Sequence, residues 1–196
     1  METKDFSGSA RAIGGLALLL ALATTAVAAP TTTKFDATAK VESTPLMLNG
    51  AGTRYKTVFR VYDMALYTQR KVTTPQELLA LPGPKRLDVT ALRDLSSTEI
   101  GLAFVQGMRA NATKEQTTRH LASMSRLIEI FSSRSKLLAG EYIGMQYTPG
   151  KGTTFLIMGE PQGAPVGDAE FFNMVLNIWV GPSPAEPLLK DALLGQ

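Results

Sequence analysis

Leu48-Asn49-Gly50-Ala51-Gly52-Thr53-Arg54, followed at once by Tyr55–Thr68, is the stretch on which the fold turns. Gly50 and Gly52 permit backbone angles or close approaches that a side chain would block, so a break between two apolar runs is expected there. Arg54 then opens a long strand-like run. Tyr55, Thr57, Phe59 and Val61 fall on one face by period two, and Val58, Arg60 and Tyr62 on the other. A run this long is expected to bulge near Asp63. Two readings of Arg54 stand at this point. In one it is a surface charge in a weak ion pair. In the other its five donors, fixed at the mouth of a half-buried strand, face a carboxylate or an enolate-like oxygen.

Outward from this stretch, Lys40–Leu48 reads as a first strand, with Pro45 marking an edge or bulge. Thr74-Pro75-Gln76-Glu77 caps and opens a short helix through Leu81. Lys85–Leu92 alternates again. Ser96 to Glu99 is a capping box before a helix whose stripe is Ile100, Ala103, Phe104, Gly107 and Met108. Lys114–Ser132 reads as one helix with Leu121, Met124, Leu127, Ile128 and Phe131 on its apolar face. Glu141–Thr148 and Thr153–Met158 flank Pro149-Gly150-Lys151-Gly152 as a hairpin. Asp168 caps a helix through Trp179, and Pro187–Leu194 adds a last one. Strands, then helices, then a hairpin, then helices give an α+β fold: an antiparallel sheet with helices on one face.

The N-terminus carries an address. Lys4 and Arg11 precede the apolar run Ala12–Ala23, and Ala26-Val27-Ala28 is a small-x-small site, the order of a secretory signal peptide. The expected organisation is a signal peptide over 1–28 cleaved near Ala28, a flexible leader over 29–38, and one domain over 39–196. The run is short for a bilayer span, and a retained anchor is the alternative. The expected location is the periplasm or the outside of the cell, with no permanent membrane anchor. About 170 mature residues without cysteine must be held by a core, and that length suffices. The absence of cysteine also removes disulfides, thiolate catalysis and cysteine-held metal. Net charge is +3 and spread out, with no basic stripe interleaved with aromatics, so nucleic acid is not indicated.

Catalytic motifs are sparse. His120 is the only histidine. It stands beside an apolar stripe without a carboxylate cluster, reads as a helix-surface residue, and cannot form a histidine-rich metal site. No serine sits in a Gly-x-Ser-x-Gly elbow. Pro149–Thr153 lacks the spacing of a phosphate loop. Asp63 and Glu99 read as surface or capping residues. The Phe171, Phe172 and Trp179 helix is read as core that could also line an apolar cavity. What remains is an arginine at a strand mouth, tyrosines along that strand, and much apolar surface. That combination permits an amphipathic anion to be bound, or an enolate to be stabilised electrostatically.

Five motifs in order carry a resemblance: Leu48–Arg54, Val61-Tyr62-Asp63-Met64-Ala65-Leu66-Tyr67, Gly83-Pro84-Lys85-Arg86, Tyr147–Thr153 and Ile178-Trp179-Val180-Gly181-Pro182. Together they resemble the bacterial chalcone isomerase-like proteins over nearly the whole mature chain. The resemblance implies one α+β domain with an apolar cleft between an antiparallel sheet and its helices. Plant enzymes of this family close a chalcone by intramolecular addition, and related plant proteins bind fatty acids in the same cleft. Arg54 matches the arginine that orients substrate. The catalytic strand threonine falls on Tyr62. The helix tyrosine and asparagine fall on Ile100 and Gly107, or on Phe104 and Asn111 in a shifted register. The last specificity position falls near Ile178.

With the arginine kept and most hydroxyls gone, the expected function is non-catalytic binding of a fatty-acid-like anion. The alternative is an isomerase (intramolecular lyase) acting on an enone, with Arg54 catalytic. The expected ligand-binding residues are Arg54, Tyr62, Tyr67, Phe104, Met108, Asn111 and Phe172. The partner is a small amphipathic ligand, and neither a cofactor nor a metal is expected.

Overall fold

The computed structural model describes Met1 and residues 31–196. The expected signal segment, apart from Met1, lies outside the described residues. The elements in chain order are β1 (Thr38–Val41), β2 (Thr44–Lys56), β3 (Phe59–Thr68), α1 (Pro75–Ala80), β4 (Lys85–Ala91), β5 (Leu95–Ser96), α2 (Ser97–Asn111), α3 (Lys114–Arg119), α4 (Leu121–Ser132), β6 (Lys136–Leu137), β7 (Tyr142–Thr148), β8 (Gly152–Ile157), β9 (Glu160–Pro161), α5 (Ala169–Val180) and α6 (Pro187–Leu193). Seven strands form one antiparallel sheet in the order β1-β2-β3-β4-β7-β8-β9, and β5 pairs with β6 apart from it. This is the expected α+β architecture.

The strand breaks fall elsewhere than the glycines imply. β2 runs straight through Gly50-Ala51-Gly52, and the chain turns instead at Glu42, with φ of 52°, and at Thr57, with φ of 59°. The expected first strand is therefore a tight hairpin, and the expected Tyr55–Thr68 run is the end of β2, a turn and β3. Bulges lie at Leu48/Gly50 and at Arg54/Tyr55, not near Asp63. The glycines serve packing. A Cβ on Gly50 would collide with the Ala192 carbonyl of α6, and one on Gly52 would stand 2.7 Å from the Ala192 Cβ. Asn49, left over by the first bulge, is buried; its amide donates to the carbonyls of Val72 and Leu193 and accepts from the Val72 N–H. The glycine-rich stretch thus seats the last helix on the sheet.

Strand alternation sorts β3 between two cores. Tyr62, Met64 and Leu66 face the helices and the main core. Ala65 and Tyr67 face the other side, with Val41, Leu46 and Phe35. Asp63, read as a surface or capping residue, is fully buried within a strand. It accepts from the Thr33 N–H at 2.6 Å and the Thr53 hydroxyl at 2.5 Å. A buried carboxylate needs such donors, so the part of the leader from Thr31 onward runs against the sheet instead of ranging free.

The caps of α1, α2 and α5 are those expected: Thr74 with Glu77, Ser96 and Asp168. The expected helix over 114–132 is two helices, because the chain leaves helical geometry at His120, with ψ of 18°. That reset rotates the apolar face of α4, so Leu121 is exposed and Ile130 is buried among Met124, Leu127 and Phe131. α5 is buried on nearly every side, from Phe171 to Val180, and lies under α2 as the spine of the helical layer.

Candidate functional site

The β2–β3 register sets Arg54 directly opposite Tyr62. Cross-strand partners point their side chains to one face, here the helical one. The Arg54 guanidinium carbon lies 5.8 Å from the Tyr62 ring centroid, within reach of a cation–π contact. Between these two residues and helices α2 and α5 is a cavity of about 320 Å³. Ile100, Ala103, Phe104, Gly107, Ile178 and Trp179 form most of its wall, with Gln106, Ala110, Ser183 and Ala185 at its rim. A second hollow of about 460 Å³ adjoins it and shares Arg54, Ile100, Ala103 and Gln106.

The polar side of this cavity is sparse and oriented. The Trp179 indole N–H donates to the Tyr62 hydroxyl oxygen at 2.7 Å, which leaves the hydroxyl proton free to donate. Burial pushes the Tyr62 phenol above its usual range, and the neighbouring Arg54 charge pulls partly against that. The group therefore stays a donor at neutral pH. Arg54 is half-buried and forms no ion pair among the described residues. Its Nε is buried without a hydrogen-bond partner. An N–H sequestered in this way costs free energy until an acceptor arrives. An anionic oxygen beside Arg54 and Tyr62 would meet both donors at once.

Phe104 contributes to the wall as expected and meets Trp179 edge-on at 5.4 Å between centroids. The other expected ligand contacts lie elsewhere. Tyr67 is on the opposite face of the sheet, where its hydroxyl donates to the Asp36 carbonyl, because five positions along a strand reverse the face. Met108 is fully buried in the core. Phe172 stacks on Tyr147 at 5.2 Å and does not reach the cavity. Asn111 is a staple: its amide donates to the carbonyls of Gly107 and Ser183, and its oxygen accepts from the Ser183 N–H. It fixes the end of α2 to the loop after α5, at the rim of the cavity.

His120 is also placed differently from the surface role expected of it. It is 5 % exposed, with Nε2 at 2.9 Å from Glu170 and 3.7 Å from Asp168. The carboxylates that the local sequence lacks arrive from the start of α5. Arg119 joins them on Glu170. His120 and Arg119 together hold the Glu170 carboxyl below its usual range. This cluster ties α3 to α5 and is not part of the cavity wall. Among the described residues no group of three histidines or carboxylates could hold a metal ion, and no helix is long and apolar enough to cross a membrane.

Trp179, read as core that could also line an apolar cavity, lines it; what residue patterns missed is its hydrogen bond to Tyr62. Ile100 and Gly107 come from α2 and Ile178 from α5, about seventy residues on, and only the motif resemblance had put them beside Arg54.

Comparison with known proteins agrees with this fold. A family model described as chalcone isomerase-like matches residues 28–195. No curated protein sequence matches the chain. Among solved structures, the crystal structure of a fatty-acid binding protein of Arabidopsis thaliana superposes with a TM-score of 0.63 at 14 % identity, over 86 % of this chain and 95 % of that one. At that identity the likeness concerns the fold.

Proposed function

Because the chain belongs to the chalcone isomerase-like family, we propose that it binds a small amphipathic anion in the cavity beside Arg54 without transforming it. The observation that carries this reading is the buried, unpartnered Nε of Arg54 at the wall of a largely apolar cavity. Arg54 grips the anionic head and Tyr62, oriented by Trp179, donates a second hydrogen bond. The tail lies among Ile100, Phe104 and Ile178. A volume of about 320 Å³ is at the lower end for ligand pockets, and the adjoining hollow extends it. The Arabidopsis neighbour, a fatty-acid binding protein, supports a fatty acid as the ligand class.

The wall also weighs against turnover. In one register of the resemblance Ile100 and Gly107 stand where a phenol and an amide are expected, with Ile178 at the polar specificity position; in the shifted register Phe104 replaces the phenol, and the Asn111 amide is spent on the Gly107 and Ser183 backbone. Hydrocarbon there can neither order a water nor donate to a ketone. The cleavable signal over residues 1–28 belongs to the same proposal, with a carrier acting in the periplasm or outside the cell and a domain from residue 39 onward.

Titration of a fatty-acid panel into wild type and Arg54→Ala tests this function. Loss of a desolvated charge-assisted contact is expected to weaken binding by about 2 kcal/mol, roughly thirtyfold. Equal affinities would sink the carrier reading. Turnover of a chalcone or related enone, followed by absorbance and abolished by the same substitution, would replace it with the isomerase.

A further inference from the structure

We propose that the tip of the β2–β3 hairpin, with the start of α2 beside it, is a docking face for an anionic lipid bilayer. Through this face the cavity would exchange its ligand, a step that rests on the carrier reading above. Val58 and Phe59 occupy the tip and are 77 % and 63 % exposed. Among the described residues nothing covers them, although most other large apolar side chains are buried. Lys56 and Arg60 bracket this pair in sequence. Leu102 on α2 is half-exposed and lines the adjoining hollow together with Arg54, Lys56 and Arg93.

Apolar side chains at a protruding tip, ringed by cations, match the interfacial layer of an anionic membrane. The hydrocarbon enters the acyl boundary while lysine and arginine meet the phosphates. The acidic residues at this end do not cancel the cations. Asp94 is engaged by Lys136 at 2.8 Å. Glu99 is the one carboxylate lining the hollow, against three basic side chains. Arg60 is held over Tyr55, whose hydroxyl accepts from its Nε, and keeps its charge at the surface. A stable protein partner would need roughly 800 Å² on each side, far more than two side chains at a tip offer. A bilayer needs no such area.

The position also suits the cavity. The hollow lined by Lys56 and Arg93 opens beside the tip and shares Arg54 with the apolar cavity. The anionic head of an amphiphile leaving the bilayer would pass those cations on its way to Arg54.

Co-sedimentation with phosphatidylcholine vesicles, with and without phosphatidylglycerol, tests the docking face. Octanoate binding in solution, by calorimetry, reads the cavity separately. Wild type is expected to sediment with the anionic vesicles at low salt and to be released at high salt. Val58→Ser/Phe59→Ser is expected to bind those vesicles roughly tenfold more weakly while binding octanoate as wild type does. Equal sedimentation of variant and wild type would overturn the docking face. So would equal binding of wild type to neutral and anionic vesicles, or wild-type self-association that the variant loses. Vesicle binding without octanoate binding would keep the docking face and remove the carrier reading.

Discussion

Trp179 holds Tyr62 by its oxygen: the indole N–H of α5 donates to the phenol of β3 at 2.7 Å, across 117 residues of chain. The contact spans the two layers of the fold at the cavity wall. It also settles which end of the phenol is free, since a hydroxyl that already accepts presents its proton outward. A structural contact between sheet and helix thereby becomes an orienting one for a ligand.

Tyr62→Phe keeps the ring and removes the acceptor. The Trp179 N–H, in a residue only 2 % exposed, is then left unpaired. Unfolding in urea is expected to show a loss of about 1–3 kcal/mol. Adding Trp179→Phe removes the stranded donor, so the double variant should fall short of the sum of the two single losses. Strict additivity would show that the hydrogen bond contributes nothing.

Gly52→Ala places a methyl 2.7 Å from the Ala192 Cβ and 3.0 Å from a Leu189 methyl. Helix α6 has to lift off β2, at a cost of about 1–3 kcal/mol for overpacking. Ala192→Gly clears the nearest atom, so the double variant is expected to recover part of the loss. A Gly52→Ala protein that melts with wild type would show that α6 adapts freely.

Glu170 provides a pH dependence. Its folded-state carboxyl titrates below the ordinary 4.5, chiefly through the contact with His120 and then through Arg119. A depressed carboxyl contributes stability that is fully present above the unfolded value and is lost as pH falls through the folded one. Thermal midpoints are thus expected to drop on acidification below about pH 4.5, and Glu170→Gln should flatten that limb. An unchanged acid limb in the variant would remove Glu170 as its source.

Much of this fold is legible in local chemistry. The caps at Thr74, Ser96 and Asp168 each require only a few adjacent residues, and each marks a true helix start. The turn at Pro149–Gly152 is equally local. The glycines misled because one residue type serves two ends. Gly50 and Gly52 read as a turn, and they are instead places where a distant helix lies on a strand. Which of the two applies depends on α6, some 140 residues away. His120 misled for the same reason, since its carboxylates are fifty residues off. At the site, Arg54 and Tyr62 were both in view. Their pairing needed the turn at Thr57, which puts them opposite each other instead of on one continuous strand.

Ala103 offers a way to close the cavity without disturbing the core. It is exposed on α2, lines both hollows, and is absent from the buried cluster. Ala103→Trp has room to lay its ring into the space between Ile100 and Ile178, where hydrocarbon wall meets hydrocarbon ring. Stability is therefore expected to hold or to rise slightly, because an apolar void is filled without a clash against backbone. Fatty-acid binding is expected to fall roughly a hundredfold, since Ala103 lines both hollows and the ring takes space at their junction. Arg54 keeps its charge in this variant, so electrostatic attraction of the anion is unchanged and the loss reports on the cavity alone. Full binding by a well-folded Ala103→Trp protein would place the tail outside this cavity and leave Arg54 as a surface cation.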